Sequence, residues 1–514
     1  MWRASRREFL RAGTALAAGL GLAADGTPSG AAPSHSSRKD VEVINPQGRV
    51  PLSLFIDDST CLVNTAHFFM PQLAEAWPEN KNFRKPWKTW PREIPDAFLR
   101  EFAQWCGEHG VKGKFTIIPY PGCVGWLDRE LPGWSRQELR ASLKLVREWI
   151  APRWDITPEM ITHTRVIDIR AGRPMDEVSS ATMENSYPQT AKTADELAAY
   201  IAYALRILKN CDLECSGITT PGGFGNAAKS ELSLAVQQAV RDVFAAEVPY
   251  YFKYVVEGDG STAPKLEHVH EAGEQVKLTV NVPAGTGDWF GNWNGDSPCQ
   301  GHRYANQDAT AGRLVDLIER GGPAVMLFHW PGMYCNGTRR GFEEFKKVVT
   351  ALESRFRDRT LWMKSSEIAC YFAAKELTRI ERNGSELTLC AALACPGFAL
   401  RRRRAGSRAA HRPQRRDGAA PPGCPAARSG PGDVAPGERR RGGMLRPAQG
   451  QGHANAGRRK MKRRCRLLRQ GMVVTPQGCV AIVGDGEHLR DKAIPCIPAS
   501  RAAASEVSNE GERE

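Results

Sequence analysis

The sequence predicts an α/β fold in which helices cover a mainly parallel sheet, and three observations lead to this prediction. Short β-branched runs alternate with helical patterns between residues 41 and 375, which is the order produced when helices connect parallel strands. Capping boxes at Ser135 with Glu138 and at Thr193 with Glu196 mark the starts of two helices. All 13 tryptophans and all 10 tyrosines precede residue 390, so the large core-forming groups belong to this part of the chain.

Seven or eight apolar runs are candidate strands, which suggests that the sheet closes into a barrel. They are residues 52–56, 114–118, 161–167, 216–220, 250–256, 276–282, 324–328 and a short run at 361–363. Two helices between them have apolar faces, formed by Phe98, Phe102 and Trp105 and by Leu197, Ile201, Leu205 and Leu208.

The formal net charge of +14 comes from the last quarter of the chain. Residues 391–514 hold 25 Lys and Arg against 10 Asp and Glu, whereas the first 390 residues hold 46 against 47. The predicted folded part is therefore nearly neutral, and the basic balance gives no reason to expect a nucleic-acid partner.

Beyond the α/β part, residues 376–400 are predicted to begin a small β domain with a turn at Asn383-Gly384. Residues 401–514 are predicted to be a disordered tail, because Phe398 is the last aromatic residue. Residues 401–469 contain 19 Arg but only 2 Lys amid Ala, Gly and Pro. We interpret this as a shift of the reading frame near residue 400, with a basic envelope-binding tail as the alternative. An uninterrupted frame on resequencing would exclude the shift.

The N-terminus, residues 1–32, is similar to a bacterial Tat export signal. Ser5-Arg6-Arg7-Glu8-Phe9-Leu10-Arg11 is a twin-arginine pattern, and an apolar run and small residues follow it. The run is too short to cross a bilayer, and no other stretch has a transmembrane pattern, so the mature chain is expected to lack a membrane span. The resemblance implies export by the Tat machinery to the periplasm or beyond.

Two adjacent carboxylates, Asp57 and Asp58, stand where an apolar run ends. At the carboxyl end of a parallel strand, one carboxylate can bind a divalent cation while the other acts as a general base. The alternative is an ordinary Asp-Asp-Ser turn.

Two histidines occupy comparable positions. His163 lies in the third run and His329 directly follows the run 324–328. An imidazole is a common metal ligand beside a carboxylate, or a general acid at a half-buried site, although either histidine alone could be structural. A glycine-rich turn, Pro221-Gly222-Gly223-Phe224, could hold an oxyanion or a substrate hydroxyl through its backbone N–H groups.

In this order, the acid pair, His163, the Pro221 turn and Leu327-x-His329 resemble the polysaccharide deacetylase superfamily, which includes carbohydrate esterase family four. The resemblance covers residues 50–375 and implies an irregular (β/α)7 barrel within the predicted domain 41–375. It implies that Asp57 is the base, that Asp58 and His163 bind a divalent metal such as Zn²⁺, and that His329 is the acid. The substrate-binding residues that it implies are Leu327 at the acyl pocket, Trp330, Pro221 and Phe224. The segments 112–115, 157–164 and 208–210, with His329-Trp330, resemble an exported branch of the superfamily.

The third metal ligand is left open by the sequence, because the position four after His163 is Ile167 where the family has a second histidine. Asp168 or His67 could complete the site. The turn before Pro221 also lacks the arginine that orients the base in the family, and Asp288-Trp289 is a candidate for the family's fourth motif.

The function expected from these residues is that of an exported metal-dependent hydrolase that removes an acyl group, in particular N-acetyl, from a carbohydrate or cell-envelope glycan. One alternative is a catalytically silent barrel that binds glycan. Another is a glycoside hydrolase on a related barrel, which needs two carboxylates but no metal. Metal binding therefore separates the leading hypothesis from both alternatives.

Overall fold

The computed structural model describes residues 41–272, 275–290, 292–383 and 386–402, with the short segments 463–466, 472–474 and 480–484. The predicted export signal at residues 1–32 lies outside the described residues, as does most of the predicted tail. The described part has a mixed α/β fold, as the sequence predicts.

The strands are β1 (Val41–Val43), β2 (Val50–Asp57), β3 (Gly113–Thr116), β4 (Trp154–Thr157), β5 (Ile167–Asp168), β6 (Arg173–Pro174), β7 (Gly217–Thr219), β8 (Tyr250–Phe252), β9 (Lys265–Ala272), β10 (Gln275–Asn281), β11 (Ala324–His329), β12 (Thr360–Trp362), β13 (Arg379–Asn383), β14 (Glu386–Ala391), β15 (Ala399–Arg402), β16 (Arg463–Arg466), β17 (Met472–Val474) and β18 (Val480–Gly484).

The α-helices are α1 (Thr65–Ala76), α2 (Asp96–Glu108), α3 (Arg136–Leu145), α4 (Ala194–Asn210), α5 (Lys229–Phe244), α6 (Arg313–Glu319), α7 (Trp330–Tyr334), α8 (Arg340–Phe356) and α9 (Ser365–Leu377). A π-helical turn, Val146–Ile150, follows α3. The 3₁₀ turns are Pro46–Gly48, Lys81–Phe83, Trp87–Thr89, Pro121–Cys123, Ser180–Thr182, Glu184–Ser186, Asn226–Ala228, Gly301–Arg303 and Cys335–Gly337. No helix in the described ranges is both long enough and apolar enough to span a membrane.

Two sheets built mainly from parallel strands form the centre of the fold. The first has the order β11–β2–β3–β4, with β12 also paired to β2, and all of these pairings are parallel. The second has the order β7–β8–β10–β9, in which only the β9–β10 pairing is antiparallel. The predicted parallel character of the sheet is therefore confirmed.

The two sheets are joined by isolated backbone hydrogen bonds rather than by continuous ladders. On one side, Thr219 N donates to the Pro158 carbonyl oxygen at 2.9 Å, and on the other, Gly285 N donates to the Val325 carbonyl oxygen at 2.8 Å. Because β4 and β7, and likewise β10 and β11, share no ladder, a closed (β/α)7 barrel is not confirmed.

Side chains alternate between the two faces of these strands, as the period of two requires. Phe55 belongs to an inner cluster with Phe252 and Leu327. Its neighbours Leu54 and Ile56 belong instead to a second, larger cluster with residues of α2, α4, α5 and α8, whereas the inner cluster contains residues of α9. The predicted faces of α2 and α4 are buried in that second cluster, apart from the half-buried Trp105 at its edge.

Both predicted capping boxes are confirmed. The Ser135 hydroxyl accepts a hydrogen bond from Glu138 N, and the Thr193 hydroxyl accepts one from Glu196 N, each with the reciprocal glutamate contact to the capping residue. These local signals therefore fixed the starts of α3 and α4 correctly.

One predicted strand, residues 161–167, is wrong. The strands in this part of the chain are β4, which ends at Thr157, and the two-residue β5, which begins at Ile167, whereas residues 161–164 form a loop. His163 therefore stands six residues beyond β4. The run resembles a strand because it is apolar and buried. The backbone N–H groups of Ile161, Thr162 and His163, however, are bound by a side chain rather than by a neighbouring strand.

The predicted β segment contains the hairpin β13–β14 and the strand β15, which pairs with β1. In the region predicted as a tail, the structure describes β16, which pairs with β14, and β17 and β18, which pair with each other. The remainder of residues 403–514 lies outside the described residues.

Candidate functional site

The acid pair stands at the end of β2, as predicted, and both carboxylates are buried. Asp57 is the register partner of His329 across the parallel β2–β11 ladder, so the candidate base and acid lie on adjacent strands about 4.8 Å apart. Asp58 has a left-handed backbone with a φ of 57°, which is unfavourable for a residue other than glycine. This turn ends the strand and lets the second carboxylate reach a different group of residues.

Lys114 compensates the charge of Asp57. Its Nζ lies 2.5 Å from Asp57 Oδ1 and donates a hydrogen bond to Thr219 Oγ1 at 2.7 Å. The ammonium group also lies 5.1 and 5.0 Å from the ring centres of Phe55 and Phe252, and the Lys114 side chain is 0% exposed. A charge removed from water to this extent needs a partner of opposite sign.

Sequence reasoning missed Lys114 as a site residue. The chain lacks an arginine before Pro221, and β3 supplies a lysine to the candidate base instead. The sequence does contain a signal for this role. Lys114 begins the apolar run 114–118, and a buried lysine is uncommon unless it is paired with an opposite charge.

Asp58, the second member of the acid pair, lies close to Glu159 and His163. Each of these three residues offers one atom that could bind a metal, and these atoms lie within 4.8 Å of one another. His163 Nε2 lies 2.8 Å from Asp58 Oδ1 and 3.3 Å from Glu159 Oε1. The other Glu159 oxygen, Oε2, accepts a hydrogen bond from Asp58 N at 2.7 Å. Glu159 thus fixes the backbone of Asp58 while it faces the side chain of His163.

Glu159 is the third member that sequence reasoning did not find. The family pattern places the further ligand four residues after His163, whereas the carboxylate of Glu159 stands four residues before it. In a loop, the residue four before His163 and the residue four after it can each come close to the imidazole, so the sequence does not decide between them.

The donor set suits a divalent cation. Asp58 is 1% exposed, its Oδ1 lies 2.8 Å from His163 Nε2, and its Oδ2 accepts no hydrogen bond from the described residues. Such burial of a carboxylate is costly without a compensating charge. Burial would lower the pKa of His163, but the charges and hydrogen bonds of Asp58 and Glu159 raise it well above its usual value. A cation could take the place of that proton, since two carboxylates and one neutral imidazole carry a charge of −2.

His329 is held by Asp288, the candidate that the sequence offered for the fourth motif. The His329 Nδ1 to Asp288 Oδ2 distance is 2.7 Å, and Asp288 Oδ1 accepts a hydrogen bond from Phe290 N at 2.9 Å. Burial acts to lower the pKa of His329, but the charges of Asp58 and Asp57 and the contact with Asp288 raise it to about 9. The raised pKa favours the protonated imidazole, which is the form that a general acid requires.

Aromatic rings border both histidines. Phe69 stacks on His163 with ring centres 4.9 Å apart and planes 16° apart. The half-buried Trp293 has its ring centre 6.4 Å from Phe69 and 6.5 Å from His329. Trp293 therefore lies beside His329 and beside the ring that stacks on His163.

The structure does not bring Asp168 or His67 into the group of Asp58, Glu159 and His163. Asp168 is exposed in β5, and its Oδ1 accepts hydrogen bonds from the backbone N–H groups of residues 170 and 171. The Nδ1 atom of the buried His67 lies 2.9 Å from the Trp90 carbonyl oxygen, and burial lowers its pKa.

The predicted substrate residues have different surroundings. Leu327 lies two residues before His329 on the same face of β11, and it is fully buried in the inner cluster. Pro221 and Phe224 are also buried. Trp330 is 2% exposed and packs with Phe98, Phe102 and Phe115 among the helices, so its ring is part of the core rather than of an open surface.

Comparison with known proteins leaves the family undefined. No protein-family model matches the chain, and no curated protein matches it. Among solved structures, it is similar to that of a Mycobacterium smegmatis protein provisionally named a polysaccharide deacetylase. That similarity has a TM-score of 0.34 and 12% identity, over 66% of this chain and 97% of the other. A likeness of this size establishes neither fold nor function.

Proposed function

We propose that this protein is an exported, metal-dependent hydrolase that removes an acyl group, in particular N-acetyl, from a carbohydrate or a cell-envelope glycan. One observation carries the proposal: a buried group that suits a divalent cation lies beside a lysine-paired carboxylate and a carboxylate-paired histidine. These three units provide a place for a Lewis acid, a base and an acid within a single site.

Asp58, Glu159 and His163 would hold the metal, with Zn²⁺ or a similar divalent ion as the candidate. When bound, such an ion supplies polarisation of the acyl carbonyl and activation of water. The chain's own residues would carry out the proton transfers.

Asp57 would accept the proton of the attacking water. Lys114 would hold this carboxylate in place, because its Nζ lies 2.5 Å from Asp57 Oδ1 and both side chains are buried. His329 would protonate the leaving amine, and Asp288 would orient its ring through Nδ1. Trp293 would pack against the substrate between the two histidines.

The remaining parts of the proposal come from the sequence. The parallel strands β2, β3, β4, β7, β8, β10 and β11 would form the irregular (β/α)7 barrel of the polysaccharide deacetylase superfamily. The twin-arginine segment would direct the chain through the Tat machinery to the periplasm or beyond.

Elemental analysis of the purified full-length chain tests the metal site. We expect about one equivalent of a divalent metal, and its loss in the variants Asp58→Ala, Glu159→Gln and His163→Ala. Asp168→Ala is the matched control, because this carboxylate lies outside the group and should leave the metal content unchanged. A folded wild-type chain that binds no metal when the metal is supplied in excess would refute the proposed mechanism and favour a glycan-binding protein.

The activity is tested by acetate release from N-acetylated and O-acetylated oligosaccharides. We expect release by the metal-loaded wild-type chain and its loss in Asp57→Asn and His329→Gln. Equal release by the wild type and both variants would show that these residues are not the base and the acid.

A further inference from the structure

The loop that carries His163 has an unusual backbone. Met160 and His163 are both left-handed, with φ values of 51° and 62°, and neither is a glycine, for which this conformation would be free of strain. The loop also belongs to no ladder, so its N–H groups depend on other acceptors. A single side chain meets most of this need.

That side chain is Glu184, which is fully buried. Its Oε1 accepts hydrogen bonds from Ile161 N at 3.0 Å and from the Tyr200 hydroxyl at 2.5 Å. Its Oε2 accepts from Thr162 N at 3.0 Å and from His163 N at 2.6 Å. Three consecutive backbone N–H groups thus converge on one carboxylate, and the last of them belongs to the candidate metal ligand itself.

Glu184 is in turn fixed from two directions. Its backbone N–H donates to the Thr164 carbonyl oxygen at 2.6 Å, which ties Glu184 to the far end of the same loop. Tyr200, whose hydroxyl contacts the carboxylate, lies in the middle of α4. The buried residues of α4 belong to the same large cluster as Leu54 and Ile56. This arrangement therefore connects the His163 loop to the hydrophobic core of the fold.

We propose that Glu184 is a positioning residue that preorganises the Asp58–Glu159–His163 group for a divalent cation by fixing the backbone of the His163 loop. This inference rests on the proposed function. Glu184 acts through His163 and not on the cation, because its two oxygens are occupied by backbone N–H groups and by Tyr200. Such supporting groups commonly change metal affinity 10- to 100-fold.

The variant Glu184→Gln tests this role, because it keeps the size of the side chain but replaces one acceptor oxygen by an amide NH₂ group. That NH₂ group would face backbone N–H donors, so at least one hydrogen bond of the loop must break. A loss of affinity alone could also follow from a general loss of stability, and a control variant has to separate the two.

Asp155→Asn is the matched control. Asp155 is a partly buried carboxylate with several donors, since it accepts from Ser366 N at 2.6 Å, from the Ser366 hydroxyl at 2.8 Å and from the Tyr250 hydroxyl at 3.2 Å. Its contacts hold the start of α9, and it is not part of the candidate metal group. The same chemical change there should lower stability without altering metal affinity.

The experiment measures Zn²⁺ affinity by titration calorimetry on the metal-free, full-length chain, with the melting temperature of each metal-free variant. We expect Glu184→Gln to raise the Kd at least about 10-fold and Asp155→Asn to leave it within about 2-fold of the wild type. Tyr200→Phe, which keeps the carboxylate and removes one donor, should raise the Kd by a smaller factor, and it decides the matter if Glu184→Gln does not fold.

An unchanged Kd for Zn²⁺ in folded Glu184→Gln and Tyr200→Phe would overturn the role of Glu184, while the metal site itself would stand. An equal rise in Asp155→Asn would also overturn it, since stability alone would then explain the effect. A wild-type chain that binds no Zn²⁺ would overturn the proposed function itself, and with it this inference.

Discussion

Lys114 and Asp57 form an ion pair that is closed to solvent, so each charge should depend on the other for the stability of the fold. Their side chains are 0% and 1% exposed, and Nζ lies 2.5 Å from Oδ1. Removal of one partner leaves the other charge buried without compensation, which costs about 3–5 kcal/mol. We therefore expect Lys114→Met to lower the free energy of unfolding by about 3–5 kcal/mol, although methionine retains most of the apolar volume.

The double variant Asp57→Asn/Lys114→Met separates charge from packing. It removes both charges together, so its loss of stability should be at least about 2 kcal/mol smaller than the sum of the two single losses. The assay is urea unfolding followed by tryptophan fluorescence and circular dichroism. Single losses that add to within about 0.5 kcal/mol of the double would refute the coupling.

An exposed ion pair provides the control. Arg173 and Asp176 lie equally close, at 2.6 Å, but their side chains are 63% and 84% exposed. Water and salt screen such a pair, and Arg173→Met should change the free energy of unfolding by less than about 0.5 kcal/mol. A loss as large as that of Lys114→Met would show that burial is not the cause.

Three further predictions follow from single positions. Asp288→Asn should move the alkaline limb of the pH–rate profile of the proposed acyl hydrolysis at least about one pH unit lower. The reason is that His329 would act as the proposed acid only while protonated, and Asp288 contributes to its pKa of about 9; an unmoved limb would contradict this role. Gly113→Ala should cost about 3 kcal/mol or more in urea unfolding, because its Cβ would stand 1.8 Å from a backbone oxygen of β2. Gly107→Ala in α2, where an added Cβ would lie 3.7 Å from Nε of Arg153, should cost nothing. Equal losses would argue against the close β2–β3 approach. Thr193→Ala should cost about 1 kcal/mol by removing the cap of α4, and an unchanged midpoint would mean that the cap contributes nothing.

The sequence by itself determined several of the secondary structure elements and the positions of two site residues. Alternation and capping are local properties, so β2, β11 and the starts of α3 and α4 follow from a few neighbouring residues. The ends of β2 and β11 then place Asp57 and His329 at strand ends, and because both strands are parallel, the two residues meet.

The tertiary structure decided which charges are neighbours. Lys114 reaches Asp57 across 57 residues of sequence, and Glu159 reaches Asp58 across 101. These contacts depend on the register between strands and on the path of the loop after β4, neither of which is encoded by the periodicity of any single segment.

The loop of His163 shows the same limit most directly. Its apolar residues predict a strand, but Glu184, 21 residues further along the chain, binds its N–H groups and holds it in another conformation. A buried backbone must find hydrogen-bond partners, and either a strand or a carboxylate can provide them. Local sequence shows that the partners are needed, whereas only the packed fold determines which group supplies them.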